Sequence, residues 1–194
     1  AMQALLTRMR NGEVGALLIH GPNPLYSVPL GEDAAAALQN VPFIASFATN
    51  LDETSRYAHL LLPDHHFLES WGDYTPRTGI HSLVQPVMQP VYNTKQTGDV
   101  LLSVARRAGR TLPTQANTFY DYLRERWARE IHPRAGTNKP FNEWWTEALQ
   151  QGVVTLDVPQ RQVTLNAAGL TGGAAATPSF TGGQDADYLG VHPS

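Results

Sequence analysis

Two short apolar runs, each stopped by a proline-bearing polar loop, constrain this chain more than any other feature. The first, ALLIHGPNP (Ala16 to Pro24), sets a strand directly before a Gly-Pro-Asn-Pro turn. The second lies within DETSRYAHLLLPDHHFLESWG (Asp52 to Gly72), which joins a polar helix start, an apolar strand, a proline stop and an acidic-aromatic loop. Strands that end this way place their loops at the carboxyl edge of an α/β sheet, where open sheets bind ligands.

The surrounding pattern alternates helix and strand up to about residue 110. Gln3 to Arg10 reads as a helix stopped by Asn11-Gly12. Val14 to Ile19 is an almost unbroken apolar run, which predicts a strand covered on both faces. Glu32 to Asn40 holds four consecutive alanines and predicts a helix ended by Val41-Pro42. Phe43 to Phe47 follows as a strand. The acidic Asp52-Glu53-Thr54-Ser55 suits a helix start. His59 to Leu62 is the third strand and Ile80 to Val84 a fourth. Thr94 to Gly109 is a helix with Val100, Leu101, Val104 and Ala108 along one face. Such alternation is that of a doubly wound, Rossmann-like α/β fold with a parallel sheet.

Beyond Thr111 the character changes, so residues 111–152 are assigned to a helical extension. Asn117 to Ile131 spaces Phe119, Leu123, Trp127 and Ile131 by four, and Phe141 to Gln150 carries Trp144 and Trp145. These aromatics read as core or subunit-contact surface. Val153 to Asp157 and Arg161 to Leu165 alternate around Pro159 and predict a hairpin, the start of a last region at 153–194. Ala167 to Gly183 reads as a low-complexity linker. The chain opens in mid-helix and closes on LGVHPS, which we take as the ends of a piece of something longer.

Composition bounds the function. The 194 residues carry a formal net charge of -3, which gives no basic face for nucleic acid or an anionic membrane surface. No apolar run approaches the ~18 residues of a bilayer span. There are no cysteines, which excludes thiolate nucleophiles, cysteine-ligated zinc and any iron–sulfur cluster held by this chain alone.

Candidate chemistry concentrates in the loops. Gly21 lets the backbone approach a ligand, and the Asn23 amide can donate to and accept from a nucleobase; the plainer alternative is a turn made rigid by Pro22 and Pro24. GxGxxG, the phosphate loop and GxSxG are all absent. Asp64-His65-His66 with Glu69 offers metal-ligating types, but adjacent histidines point apart on any regular backbone, so a strand-end cap is favoured over a metal site.

In order, LLIHGPNP, ETSRYAHLLLP, LESWG and the helix bearing Asp99 resemble the molybdopterin oxidoreductase superfamily over roughly Ala1 to Gly109. There a strand leads into GxNP, followed by a TETARYADVVLP-like segment, an EKxG-like loop and an acidic residue opening a helix. The stretch LESWGDYTPRTGIHSLVQPVMQPVYNTKQTGDVLL is most similar to the B subunit of alternative complex III, a bacterial quinol-oxidising membrane assembly. The resemblance implies a scaffold without the molybdenum cofactor, on the periplasmic side of the inner membrane. Its partners would be other domains and subunits of that complex, with iron–sulfur clusters held elsewhere in the parent. The alternative within the superfamily is part of a working bis-molybdopterin guanine dinucleotide reductase of the polysulfide reductase type.

Carried over residue by residue, the resemblance implies vestigial cofactor-binding positions at Gly21, Asn23 and Pro24 in the turn, and at Asp99, which matches the acid expected to read a guanine edge. No catalytic or metal-ligating residue is implied in this piece. Where the superfamily often has an aspartate after its second strand, this chain has Phe47-Ala48, and Ser70 stands in place of the EKxG lysine. His59 replaces the aspartate of the ADVVLP pattern. An independent α/β nucleotide-binding protein is a third possibility, set back by the missing phosphate loop.

Overall fold

A computed structural model describes residues 2–28, 33–159 and 162–165. Helix α1 (Met2–Arg10) leads into β1 (Leu17–Ile19), and a single turn α2 (Pro24–Ser27) precedes α3 (Asp33–Gln39) and β2 (Ile44–Ser46). A 3-10 turn over Ser55–Tyr57 then delivers the chain to β3 (Leu60–Leu61). The three strands form one parallel sheet in the order β1-β2-β3, with Leu17 opposite Ile44 and Ala45 opposite Leu60. This is the Rossmann-like sheet that the apolar runs predict.

The core of this part is built by periodicity. Leu6 and Met9 of α1, spaced by three, and Ala34, Ala37 and Leu38 of α3 turn one stripe each toward Ile19 and Ile44. Coverage of the sheet is one-sided at its edges, contrary to the expectation for Val14 to Ile19: Leu18 is 52% exposed, Leu60 42% and Leu61 39%. An unbroken apolar run reports that both faces are apolar, not that both are covered. Strand hydrogen bonding also takes only the last three residues of that run.

Ile80–Val84 does form a strand, β5, but not in the parallel sheet. It pairs antiparallel with β4 (Gly72–Arg77) on one side and with β6 (Val153–Thr155) on the other. Pro76 made β4 hard to read, since proline cannot donate to a ladder and is confined to edges and bulges. In the structure β4 is an edge strand, and its register shifts between Tyr74 and Arg77, where Pro76 sits. The hairpin expected around Pro159 is likewise corrected. Val153–Thr155 takes β5 as its partner, because β5 is already aligned when the chain leaves α6, and residues 162–165 form no strand. The Ala167 to Gly183 segment lies outside the described residues.

Helix α4 (Thr97–Arg107) begins three residues later than predicted, and Leu101 and Val104 on its apolar face are exposed. Helix α5 (Phe119–Arg126) is capped by the Thr118 hydroxyl, which accepts from the Asp121 N–H. It runs on through one wide turn at Trp127–Ile131 and a 3-10 turn at His132–Arg134, and α6 (Phe141–Gln151) follows. Trp127, Trp144 and Trp145 meet in a second core with Ile131, Ala148 and Leu156. Trp127 is fully buried; its indole N–H donates to Asp73 Oδ2 at 2.8 Å, and Arg126 meets the same oxygen at 2.8 Å. That carboxylate fastens β4 to the helices. Residues 2–158 make one unit, and residues from Pro159 onward belong to another.

Candidate functional site

The carboxyl ends of the three parallel strands border a cleft of about 320 Å³. His20, Gly21 and Pro22 enter it from β1, Phe47 to Asn50 from β2, and Asp64 from the end of β3. It continues into a larger cleft of about 700 Å³ that shares Thr49, Asn50 and Asp64. The far wall of the larger cleft is made by His66, Leu68 and Glu69 and by Met88 and Val91 to Thr94.

The Gly-Pro-Asn-Pro turn is built by its own residue types. Gly21 has φ +87°, a conformation that a side chain would strain. Pro24 opens α2, where its missing N–H costs nothing. The Asn23 carbonyl accepts from the N–H groups of Tyr26 and Ser27. The Asn23 side chain is committed to the chain itself. Its Nδ2 donates to Glu53 Oε2 at 2.7 Å, and its Oδ1 accepts from the Thr54 hydroxyl at 2.6 Å. Thr54 is fully buried and its oxygen also accepts from Leu25 N–H. The amide bond from Asn23 holds the Glu53 carboxyl below the ordinary glutamate value.

Of the four residues predicted to contact a nucleotide, only Gly21 lines the cleft. Pro24 lines an apolar groove with Met2, Leu5, Leu18 and Leu25. Asp99 stands in the first turn of α4, where its Oδ1 accepts the Phe119 N–H at 2.6 Å and so joins α4 to the start of α5. Asn23 and Asp99 are therefore braces in this structure.

Sequence reasoning missed Asp64 as the organising residue of the cleft. Its Oδ2 meets His20 Nε2 at 2.8 Å; its Oδ1 accepts the Thr97 N–H at 2.8 Å and the His65 N–H at 2.9 Å. The Thr97 bond places a carboxylate at the amino terminus of α4, where the helix field favours it. The available signal was positional: Asp64 is the first ionisable residue after the Pro63 that stops β3. The adjacent histidines diverge as expected. His65 Nδ1 bonds the Thr94 hydroxyl at 2.6 Å, whereas His66 Nδ1 accepts from Leu68 N–H. Glu69 ties two backbones, accepting from His66 N–H and Val91 N–H, and the Val91 bond is the main cause that lowers its pKa.

Chemically the site mixes carboxylates with neutral polar groups, among them Thr49, Asn50 and Asn93. Asp52, Asp64 and Glu69 line the two clefts, and among the described lining residues there is no lysine or arginine. The hydroxyl at the floor is engaged as well: Ser46 Oγ is 2.9 Å from Ser55 Oγ and accepts from Ala48 N–H. His20 and Asp64 form a dyad. Among the described residues no group of three or more His, Asp or Glu side chains is placed to hold a metal ion.

Comparison with known proteins gives a consistent picture. The molybdopterin oxidoreductase family model matches residues 2–107. The menaquinone reductase molybdopterin-binding-like subunit of Nitratidesulfovibrio vulgaris is 32% identical over 117 residues, 58% of this chain and 17% of its own. A nitrate reductase of Synechocystis sp. is 33% identical over 102 residues, 52% of this chain and 14% of its own. The chain thus spans less than a fifth of the length of these relatives. Acetylene hydratase from Pelobacter acetylenicus superposes with a TM-score of 0.59 at 20% identity, over 81% of this chain and 21% of the hydratase. At that identity the likeness concerns the fold alone.

Proposed function

This chain belongs to the molybdopterin oxidoreductase family, and from that premise we propose that it is a scaffold portion of a subunit in a respiratory quinol-oxidising complex. The assembly we favour is alternative complex III on the periplasmic side of the bacterial inner membrane. A relative whose name reads menaquinone reductase, molybdopterin-binding-like subunit supports a place beside quinone chemistry without requiring this segment to catalyse it. Among the described residues no helix is long and apolar enough to cross a membrane.

The observation that carries the scaffold role is the poor fit of the turn and cleft to the cofactor implied by the family. A pterin guanine dinucleotide brings a diphosphate, which needs cations or a cradle of free donors. The clefts present three carboxylates and no lysine or arginine among their described lining residues. The amide of Asn23, in the turn that the family resemblance points to, is held by Glu53 and Thr54. Ligand-binding positions have become joints of the fold.

An affinity tag on the parent protein in its native membrane tests the assignment. Scaffold function predicts co-elution with haem-bearing membrane subunits and retained quinol oxidation. Elution as a lone soluble reductase would contradict it.

A further inference from the structure

The two cores of residues 2–158 share no side chain. The first draws its members from Leu5 to Ala58 and the second from Leu83 to Leu156. Between them, polar bonds converge on three consecutive residues: Pro63, whose carbonyl accepts Lys95 N–H at 3.4 Å, Asp64, which holds Thr97 N–H, and His65, which bonds Thr94. The larger cleft lies along this seam, with Thr49 and Asn50 on the side of the first core and Met88 and Tyr92 on the other.

We infer that the chain is hinged at Pro63–His65, that its two lobes open and close the cleft between them, and that Asp64 is the latch. The inference is independent of the scaffold assignment. Lobes with separate cores move as rigid bodies when only a few element-terminal residues join them, since well-packed cores resist deformation. Pro63 limits its own φ and confines the motion to its neighbours. Asp64 suits a latch because one carboxylate reaches both sides: Oδ2 meets His20 at the end of β1, and Oδ1 holds the start of α4. The segment from Val87 to Lys95 travels with the second lobe, pinned by Leu68 O to the N–H groups of Val87 and Met88 and by Glu69 to Val91. Its outward side chains, including Val87 and Tyr92, are exposed, so the segment can swing without breaking either core.

These 194 residues contribute no cysteine of their own, so labels introduced here mark only the chosen positions within this segment. Spin labels at Gln39→Cys and Gln150→Cys, both exposed helix positions, report across the lobes. Pairs at Gln3→Cys with Gln39→Cys and at Tyr74→Cys with Gln150→Cys report within each lobe. A hinge predicts a cross-lobe distance distribution roughly twice as broad as those of the within-lobe pairs, as expected for domain rather than side-chain motion. Asp64→Ala should broaden it further and leave the within-lobe pairs unchanged, while Asp64→Asn, which keeps an acceptor for Thr97, should broaden it less. A cross-lobe distribution as narrow as the within-lobe ones in the unmutated background would overturn the hinge, whatever the Asp64 variants do. Equal breadth in Asp64→Ala and its parent would remove the latch.

Discussion

Thr54 shows how much of this structure rests on single polar atoms. Its buried hydroxyl donates to Asn23 and accepts from Leu25, so Thr54→Val keeps the shape and strands two partners. We expect a loss of about 1–3 kcal/mol in denaturant unfolding, the cost of leaving buried polar groups unpaired. Glu53 supplies a pH signature for the same brace. Its folded pKa lies below the ordinary value of 4.5, chiefly through the Asn23 amide. The contribution is therefore fully present above 4.5 and is lost as pH falls through the lowered folded value. In an NMR titration the Asn23 side-chain amide should shift only in that acid range, and Glu53→Gln should abolish the shift.

His81 behaves in the opposite chemical sense. Burial lowers its pKa from 6.5, and the cations Arg134 and Arg126 lower it further against a weaker pull from Asp73. The neutral ring, bonded to Thr75 through Nδ1, belongs to the fold. Stability from this site is complete above about 6.5 and declines below it, as the unfolded chain takes up the proton first. Thermal unfolding between about pH 7.5 and 5.5 should show a flatter pH slope in His81→Gln than in the parent. At this scale the sequence was legible for residue type and not for partner. Gly21, Asn23, Pro24 and Asp99 stand out as a pattern, but the bonds of Asn23 reach 30 and 31 residues along the chain and that of Asp99 reaches 20. Local spacing does not encode such contacts.

Elements with strong periodicity were the easiest to read. The stripes of α1, α3, α5 and α6 follow from residues three and four apart, and Asn11-Gly12 and Gly109 stop their helices as predicted, with Glu13 N–H returning to Arg8 O and Arg110 N–H to Ala105 O. The antiparallel sheet was not legible. Its edge strand contains a proline, and its third strand arrives from more than sixty residues away. Two substitutions probe that sheet. In Trp127→Phe the indole bond to Asp73 is lost from a fully buried site, so we expect about 2–4 kcal/mol of destabilisation by urea unfolding. In Gly79→Ala, a methyl would lie 2.8 Å from Leu156 O and collide with Val158 Cγ2 at a φ of +84°. Backbone cannot yield there as a flexible side chain could, and about 1–3 kcal/mol should be lost. Were either variant as stable as its parent, the joint between β5, β6 and the helices would be misplaced.

Across the whole molecule, the family match covers residues 2–107, and the proposed scaffold role rests on polar groups near the strand ends that brace the fold. The turn, the acidic loop and the helix after it all fall within the matched residues 2–107. Carboxylates, histidines, hydroxyls and amides line the strand-end clefts, and Asp64 among them holds β1 and α4 together. The scaffold proposal is physically reasonable because fold and site are separable: a domain can keep a docking shape without a working ligand site. The most direct measurement is the metal and pterin content of the intact parent protein, purified in its native complex. A scaffold predicts iron and haem with molybdenum, tungsten and pterin far below one per complex. Stoichiometric metal and pterin would contradict it and return Asn23 and Asp99 to the role of cofactor ligands.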